Sequence, residues 1–286
     1  MLTHRLHHVL VVCLLGGVAG LGSSCESYVR ARAFQKHAPL REGSLARWIP
    51  REIEGEEASA WLVQRTSVVV GRADYVGLKK EGQRKLTLKP MRAGELARAS
   101  LGSAVAVSDD GYFLTAAHCV SDEPYVIVAM DRDGNFVERL GRTVWSGLAG
   151  GAGTDVALIH GPELDTNPVA WCLLANATGG TEVLSAGVGV GASRLAAGRI
   201  VGGPTGWDEA AAGLALSFRI DSPLIAGDSG GPTILESGGL LGVCANVEIE
   251  FFAQSGGGEV LRPDPEFIQR LIVADRAARS VVTLDP

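Results

Sequence analysis

The stretch Gly227-Asp228-Ser229-Gly230-Gly231-Pro232 places a serine among glycines. Glycine adopts backbone conformations that other residues avoid, so a chain rich in glycine can turn sharply. Such a turn can present the Ser229 hydroxyl together with neighbouring backbone N–H groups. The stretch therefore predicts a tight turn that displays a serine side chain.

Two other stretches carry side chains that could act with Ser229. Residues 111–119 end in Thr-Ala-Ala-His-Cys and contain His118, and residues 154–159 read Thr-Asp-Val-Ala-Leu-Ile and contain Asp155. A serine hydroxyl is a poor nucleophile at neutral pH, and a histidine beside it has a suitable pKa to act as base. A carboxylate can then fix the histidine tautomer and stabilise the imidazolium. These residue types together predict nucleophilic chemistry.

The three stretches resemble the histidine, aspartate and serine motifs of the trypsin/chymotrypsin family of serine proteases, in the family's order. The resemblance implies that His118 is the general base, Asp155 its orienting carboxylate and Ser229 the nucleophile. It implies an oxyanion hole formed by the backbone N–H groups of Gly227 and Ser229. It also implies serine endopeptidase activity through an acyl-enzyme intermediate, and an all-β fold of two six-stranded β-barrels with the site in the cleft between them.

A closer resemblance is to the bacterial high-temperature-requirement branch of that family. Gly102-Ser103-Ala104-Val105, followed by residues 110–118, matches a pattern of that branch, and Ala197-Gly198-Arg199-Ile200-Val201 is similar to its glycine-isoleucine-valine strand. Few residues follow Cys244. We therefore expect a trypsin-like domain without the peptide-binding PDZ domain that usually follows in that branch.

Short β-branched runs divided by turn residues are typical of a β-sandwich or barrel, and the 38 glycines fit many tight turns. One helix is predicted from Asp264-Pro265 to about Arg279, because a capping residue and a proline precede an apolar stripe at helical spacing. A short helix is also predicted near residues 58–63. The predicted strands are Ser67–Val70, Gly102–Val107, Tyr125–Met130, Val156–His160, Thr181–Ala186, Arg199–Val201, Leu214–Ile220 and Leu240–Val243.

The composition narrows the possible partners. The chain has 286 residues, 46% of them hydrophobic and 20% charged, with a net charge of −6. An acidic chain is not expected to bind nucleic acid, which favours a basic surface. No C-x-x-C pair occurs, so a zinc ribbon is not expected. We expect no metal and no cofactor, and protein or peptide substrates as partners.

The N-terminus has the pattern of an export signal. A basic start is followed by an apolar run from Val9 to Leu21, the length of a signal-peptide core and too short to span a bilayer. Leu21-Gly22-Ser23-Ser24-Cys25 resembles the bacterial lipobox, which implies a lipid on Cys25 and a membrane anchor. Gly22 departs from that pattern, and the alternative is an ordinary secretory peptide.

The predicted organisation is a signal peptide over residues 1–24, a tether over residues 25–60 and a protease domain over residues 61–286. Glu26 follows Cys25, where an aspartate would favour retention in the inner membrane. The expected location is therefore the bacterial cell envelope, at the outer membrane or in the periplasm.

Three features depart from animal members of the family. Cys119 lacks the usual partner about sixteen residues earlier, where Ser103 stands, and a pair with Cys172 or Cys244 stays possible.

The stretch Arg199 to Gly203 resembles a zymogen activation site, but it lies after the histidine motif, where a cut would split the second barrel. Asp228 therefore needs a donor other than a new N-terminus, and we expect a side-chain or backbone donor and no proteolytic activation.

The primary specificity pocket is predicted to be apolar. Counting back six residues from Ser229 puts Pro223 at its base, flanked by Leu224, with Ala245 and Asn246 along one wall, whereas Asp221 lies two positions away. Small or medium aliphatic side chains are the expected substrate residues.

A second function stays open: the chain could be a catalytically weak or inactive lipoprotein that uses the protease fold as a binding module.

Overall fold

The computed structural model describes residues 61–71, 101–120, 124–148, 154–188, 194–205, 215–236, 238–248 and 257–282. The predicted signal peptide, Cys25 and the tether lie outside these residues. Residues 61–64 are helical, which agrees with the end of the short helix predicted there. No helix within the described ranges is long and apolar enough to cross a membrane.

The N-terminal half is an antiparallel sheet with the strand order β5-β4-β1-β2-β3-β7-β6. Its central strands are buried on both sides, as their β-branched and aromatic composition predicts. The strands are β1 (Thr66–Gly71), β2 (Leu101–Ala106), β3 (Tyr112–Thr115), β4 (Tyr125–Met130), β5 (Phe136–Leu140), β6 (Arg142–Ser146) and β7 (Ala157–His160).

Gly141 brings the two edges of this sheet together. It is the single residue between the edge strands β5 and β6. Its N–H donates to the Tyr125 carbonyl in β4, 3.0 Å away, while the next residue, Arg142, lies opposite His160 in β7. A Cβ atom at Gly141 would lie 2.1 Å from the Tyr125 ring, so only glycine fits this bend. The predicted six-stranded barrel is thus a curled sheet in which β5 and β6 form a single strand that is broken at Gly141.

The C-terminal half is a closed barrel of six strands in the order β10-β13-β12-β11-β8-β9. All neighbouring pairs are antiparallel, and the interior is filled by apolar side chains that include Ile200, Leu216, Phe218 and Leu241. Its strands are β8 (Glu182–Gly187), β9 (Arg194–Thr205), β10 (Ala215–Ile220), β11 (Pro232–Leu235), β12 (Leu240–Glu248) and β13 (Gly257–Pro263).

One apolar cluster joins the two halves. Leu114 and Leu158 of the first half pack with Val243 and Leu261 of the second, and Ile268 of the C-terminal helix belongs to the same cluster. The helix, α1 (Pro265–Val282), therefore covers a core that both halves share. Burying these side chains is the main favourable term that holds the halves together.

Helix α1 is also held by a polar cluster on the N-terminal half. The Tyr112 hydroxyl donates to the Asp275 carboxylate over 2.7 Å and accepts from Arg279 over 2.8 Å. Arg142 donates to the same carboxylate, and Arg276 forms a two-pronged pair with Asp110. The carboxylate of Asp275 is mostly shielded from water, with 13% of the side chain exposed.

The predicted all-β fold with a C-terminal helix is confirmed. Each strand predicted from sequence overlaps an observed strand, and the helix begins at Pro265 and extends slightly beyond Arg279. Strands β3, β5, β6, β11 and β13 were not predicted.

The Asp275 cluster gives a pH-dependent stability. Burial alone would raise the pKa of Asp275, but hydrogen bonds from Arg142 and Tyr112 outweigh it and lower the pKa from 3.8 to about 2. A carboxylate with a lowered folded pKa stabilises the fold above its unfolded pKa, and this contribution is lost as the pH falls from about 4 to about 2. Asp275→Asn should therefore reduce the free energy of unfolding by about 2 kcal/mol at neutral pH.

Urea unfolding followed by tryptophan fluorescence checks this at several pH values. Asp165→Asn is the matched control, since that carboxylate is 64% exposed in its pair with Arg132 and should contribute little. A destabilisation of Asp275→Asn that is equally large at pH 7 and at pH 2.5 would contradict the assignment.

Candidate active site

His118 and Asp155 form a two-point contact. His118 lies in a short 3-10 helix, Ala117–Cys119, directly after β3, and Asp155 lies just before β7, the strand that pairs with β3. The His118 ring atom Nδ1 is 2.6 Å from Asp155 Oδ2, and the His118 backbone N–H donates to Oδ1 over 2.9 Å. One carboxylate therefore fixes both the backbone and the ring of the histidine.

This contact changes the acidity of both groups. The hydrogen bond that His118 makes to the Asp155 carboxylate is the main reason that the pKa of His118 is raised above 6.5; Cys119 raises it further and burial opposes the rise. Burial alone would raise the pKa of Asp155, but its bonds to His118 keep that pKa below 3.8. Asp155 therefore stays ionised and favours a proton on the imidazole, as an orienting carboxylate does.

Ser229 lies in a turn that depends on glycine. Gly227 and Gly230 have φ angles of 96° and 82°, in the left-handed region that glycine favours. The Ser229 carbonyl accepts a hydrogen bond from the Ser103 N–H over 2.7 Å, and the Cys119 Sγ lies 3.6 Å from it. The turn is thus held beside Cys119, the residue that follows His118 in the chain.

Two backbone N–H groups of this turn are left available. The amides of Asp228, Gly230 and Gly231 donate to backbone carbonyls, but those of Gly227 and Ser229 donate to no group in the described part of the chain. Buried backbone donors are nearly always paired, so two donors without a protein acceptor in one turn indicate a place for an external oxygen. These are the two amides that the sequence assigned to an oxyanion hole.

Asp228 is buried behind the turn and has a backbone donor. The Ile225 N–H donates to its Oδ2 over 2.9 Å, and a Cβ atom at Gly187 would lie 2.4 Å from its Oδ1. The donor is therefore a nearby amide of the same turn, as the sequence led us to expect.

The structure shows that the residue predicted to lie opposite Cys119 was wrong. None of Cys119, Cys172 and Cys244 is in a disulfide. A Cβ atom at Gly102 would lie 2.8 Å from the Cys119 Cβ and 2.4 Å from its Sγ. Gly102, and not Ser103, is therefore the neighbour of Cys119, because the alternation of strand β2 turns the Ser103 side chain the other way.

The predicted pocket residues are spread over different environments. Pro223 is exposed, Leu224 is buried in the core of the C-terminal barrel, and Ala245 is buried in the core shared by the two halves. The side chain of Asn246 lies outside the described part. Asp221 accepts from the Arg199 N–H over 2.5 Å and is exposed, so its carboxylate is engaged with β9. The apolar pocket stays a prediction.

The sequence Arg199-Ile200-Val201-Gly202-Gly203 lies inside β9, which pairs with β8 on one side and β10 on the other. Ile200 is buried in the barrel core. The stretch is therefore a barrel strand, as its position in the sequence suggested. Within the described ranges no group of three or more His, Cys, Asp or Glu side chains could hold a metal ion.

Residues 102–243 match the family model of the trypsin-like peptidase domain. The chain carries a trypsin-like peptidase domain. The match includes the positions of His118, Asp155 and Ser229. A search of curated proteins found no significant sequence match.

Solved structures of similar fold include proteases of the HtrA type. The protease AlgW with a decapeptide is 17% identical, with a TM-score of 0.57, and the alignment covers 77% of this chain and 68% of AlgW. AlgW with a tripeptide is 16% identical, with a TM-score of 0.51 and coverage of 74% and 60%. The serine endoprotease from Yersinia pestis is 18% identical, with a TM-score of 0.50 and coverage of 72% and 63%. The chain thus spans about two thirds of their lengths, and at this identity the likeness shows the fold.

Sequence reasoning missed the contacts that support the turn. Ser103 and Thr115 are both fully buried, and both carry hydrogen bonds close to Ser229. Both residues lie within matched motifs, but no pattern in a single sequence indicates which atoms they contact. Their polar character at positions inside apolar strands is the one available signal, because a buried hydroxyl requires a partner.

The His118–Asp155 contact predicts a specific pH effect. If His118 acts as the base, Asp155→Asn should lower kcat/KM by roughly 10⁴, the loss known for this substitution in such triads. The carboxylate raises the pKa of His118, so its removal should also move the acidic limb of the pH–rate profile to lower pH. Peptide hydrolysis measured between pH 4 and pH 10 checks both effects.

Asp133→Asn, at an exposed turn, is the control and should leave the profile unchanged. An acidic limb that stays in place, or moves to higher pH, in Asp155→Asn would show that Asp155 does not set the acidity of the base.

Proposed function

We propose that this chain is a serine endopeptidase that hydrolyses peptide bonds through an acyl-enzyme intermediate. The observation that carries the proposal is the 2.6 Å contact between the His118 ring and the Asp155 carboxylate. The next residue in the chain, Cys119, contacts the Ser229 turn. An imidazole oriented by a carboxylate beside a glycine-rich serine turn fits acyl transfer better than a purely structural role.

In the proposed reaction, the Ser229 Oγ attacks the substrate carbonyl carbon while His118 accepts the hydroxyl proton. The carbonyl oxygen becomes an oxyanion, and the amides of Gly227 and Ser229 donate to it. His118 then gives its proton to the leaving nitrogen as the C–N bond breaks, which leaves an ester on Ser229. Water repeats the sequence on the ester, so that acid and free serine are formed. Asp155 holds the imidazole in one orientation and favours its charged form throughout.

Peptides are the proposed substrates. The neighbouring AlgW structures contain bound peptides, and their likeness to this chain is in the fold. We propose an aliphatic preference at the cleaved residue, because Pro223 and Leu224 near the predicted pocket base are uncharged.

The alternative is a binding module that keeps the protease fold without turnover. The available amides of Gly227 and Ser229 favour the enzyme, because a module that only binds has no need for donors aimed at a developing charge.

Labelling with a fluorophosphonate probe separates the two functions. The probe reacts with an activated serine, so wild-type protein should be labelled and Ser229→Ala should not be. In peptide hydrolysis, Ser229→Ala should lose on the order of 10⁶ in kcat, by analogy with measured triads. Ser222→Ala, at a buried serine that lies before the turn, is the matched control and should keep its label. Folded wild-type protein that takes up no label would favour the binding module.

We also propose that the protein acts in the bacterial cell envelope and is anchored by a lipid on Cys25. The proposal rests on the apolar run from Val9 to Leu21 and on the small residues that precede Cys25. A lipid chain gives a tethered enzyme access to the membrane surface without a spanning segment.

Metabolic labelling with radioactive palmitate in a bacterial host checks the anchor. Cys25→Ala should carry no label and should move from the membrane fraction to the soluble fraction. Cys13→Ala, which changes the only cysteine in the apolar run, should keep both the label and the membrane location. A label that persists in Cys25→Ala would show that the acyl group is attached to another residue, and it would contradict the proposed lipid on Cys25.

A further inference from the structure

Ser103 contacts the Ser229 turn through its backbone and its side chain. Its N–H donates to the Ser229 carbonyl over 2.7 Å, and its hydroxyl donates to the Gly227 carbonyl over 2.7 Å. The same hydroxyl accepts from the Val188 N–H over 2.8 Å. Ser103 is completely buried, so water cannot replace any of these bonds.

The two carbonyls that Ser103 holds belong to the two residues with available amides. Gly227 has a φ of 96°, and Gly230 follows Ser229 with a φ of 82°. Glycines on both sides give this turn more conformational freedom than other residues would allow. Contacts from outside the turn therefore help to fix its backbone, and Ser103 supplies one on each side of Asp228, in addition to the bond from the Gly230 N–H to the Cys244 carbonyl.

Ser103 also connects the turn to the histidine. It lies in β2, next to β3, the strand that leads into His118. The Thr115 hydroxyl, three residues before His118, donates to the Ser103 carbonyl over 2.7 Å. A Cβ atom at Gly230 would lie 2.1 Å from that same carbonyl oxygen and 2.2 Å from the Thr115 Oγ1. The turn therefore packs directly on the Thr115–Ser103 contact.

We propose that Ser103 is a positioning residue whose hydroxyl holds the Gly227–Ser229 turn with its two amides aimed at the oxyanion. The catalytic part of this inference rests on the proposed endopeptidase function, whereas the holding of the turn does not. Donors that are aligned in advance lower the barrier most at the transition state, where the charge is largest. Loss of the hydroxyl should therefore affect kcat and leave KM nearly unchanged.

Ser103→Ala tests the role, because it removes only the hydroxyl and keeps the backbone bonds to Ser229 and Thr115. We expect kcat to fall by roughly 10-fold to 100-fold, as for a small misplacement of catalytic donors. Affinity for a peptide boronate, which forms a tetrahedral adduct, should fall by a similar factor. Affinity for a peptide that the enzyme binds but does not cleave should stay the same.

The matched control is Ser185→Ala. The Ser185 hydroxyl is equally buried and bonds Thr233 over 2.8 Å inside the C-terminal barrel, in the strand that follows the turn. Both variants lose one buried hydroxyl and should be destabilised to a similar degree, as measured by urea unfolding. A merely structural role for Ser103 would give the two variants the same kcat, and that result would overturn the proposal.

Hydrogen–deuterium exchange provides a readout that does not need activity. Residues 221–231 should exchange faster in Ser103→Ala than in the wild type, and Ser185→Ala should leave that segment unchanged. Unchanged exchange in Ser103→Ala overturns the proposal that Ser103 holds the turn, whether or not the wild type is active. An inactive wild type would refute only the endopeptidase function. If Ser103→Ala does not fold, Ser103→Cys replaces it in all arms, since it keeps a side chain of similar shape and exchanges the hydroxyl for a weak donor.

Discussion

The hydrogen bond from the Ser103 amide to the Ser229 carbonyl connects strand β2 of the first half to the serine turn of the second. His118 and Ser229 come from different halves of the molecule, so their separation depends on how the halves are held. The shared apolar core supplies the attraction, but hydrophobic contact has no direction and tolerates small shifts. A short backbone hydrogen bond at the turn restricts those shifts where a misplacement would matter most for the chemistry.

Both carboxylates near the site accept hydrogen bonds from nearby residues. Asp155 accepts from the backbone and the ring of one histidine, and Asp228 accepts from the Ile225 amide, three residues away. A buried carboxylate without donors would be costly, and each of these donors reduces that cost. Each carboxylate is thus held by residues that are close in sequence or on neighbouring strands.

The sequence was sufficient for the motifs and for the fold class, because a few residue types at a nucleophilic site are strongly constrained by chemistry. It was weaker where geometry decides. The bend at Gly141 arises from the approach of the Tyr125 ring, and the pairing of Asp275 with Tyr112 and Arg142 joins distant parts of the chain. Neither leaves a periodic pattern. The position opposite Cys119 was assigned to Ser103 because counting residues ignores which way a strand turns its side chains.

The pairing of strand β9 determines how readily other proteases can cleave this protein at the Arg199–Ile200 bond. The bond between Arg199 and Ile200 has the composition that many proteases cleave, and the Arg199 side chain is exposed. A protease must bind its substrate as a single extended segment, yet the backbone here is paired with β8 and β10, and Ile200 is fixed in the barrel interior. The bond is therefore protected only as long as the barrel is closed. A cut at this position is therefore expected only in molecules whose barrel has opened.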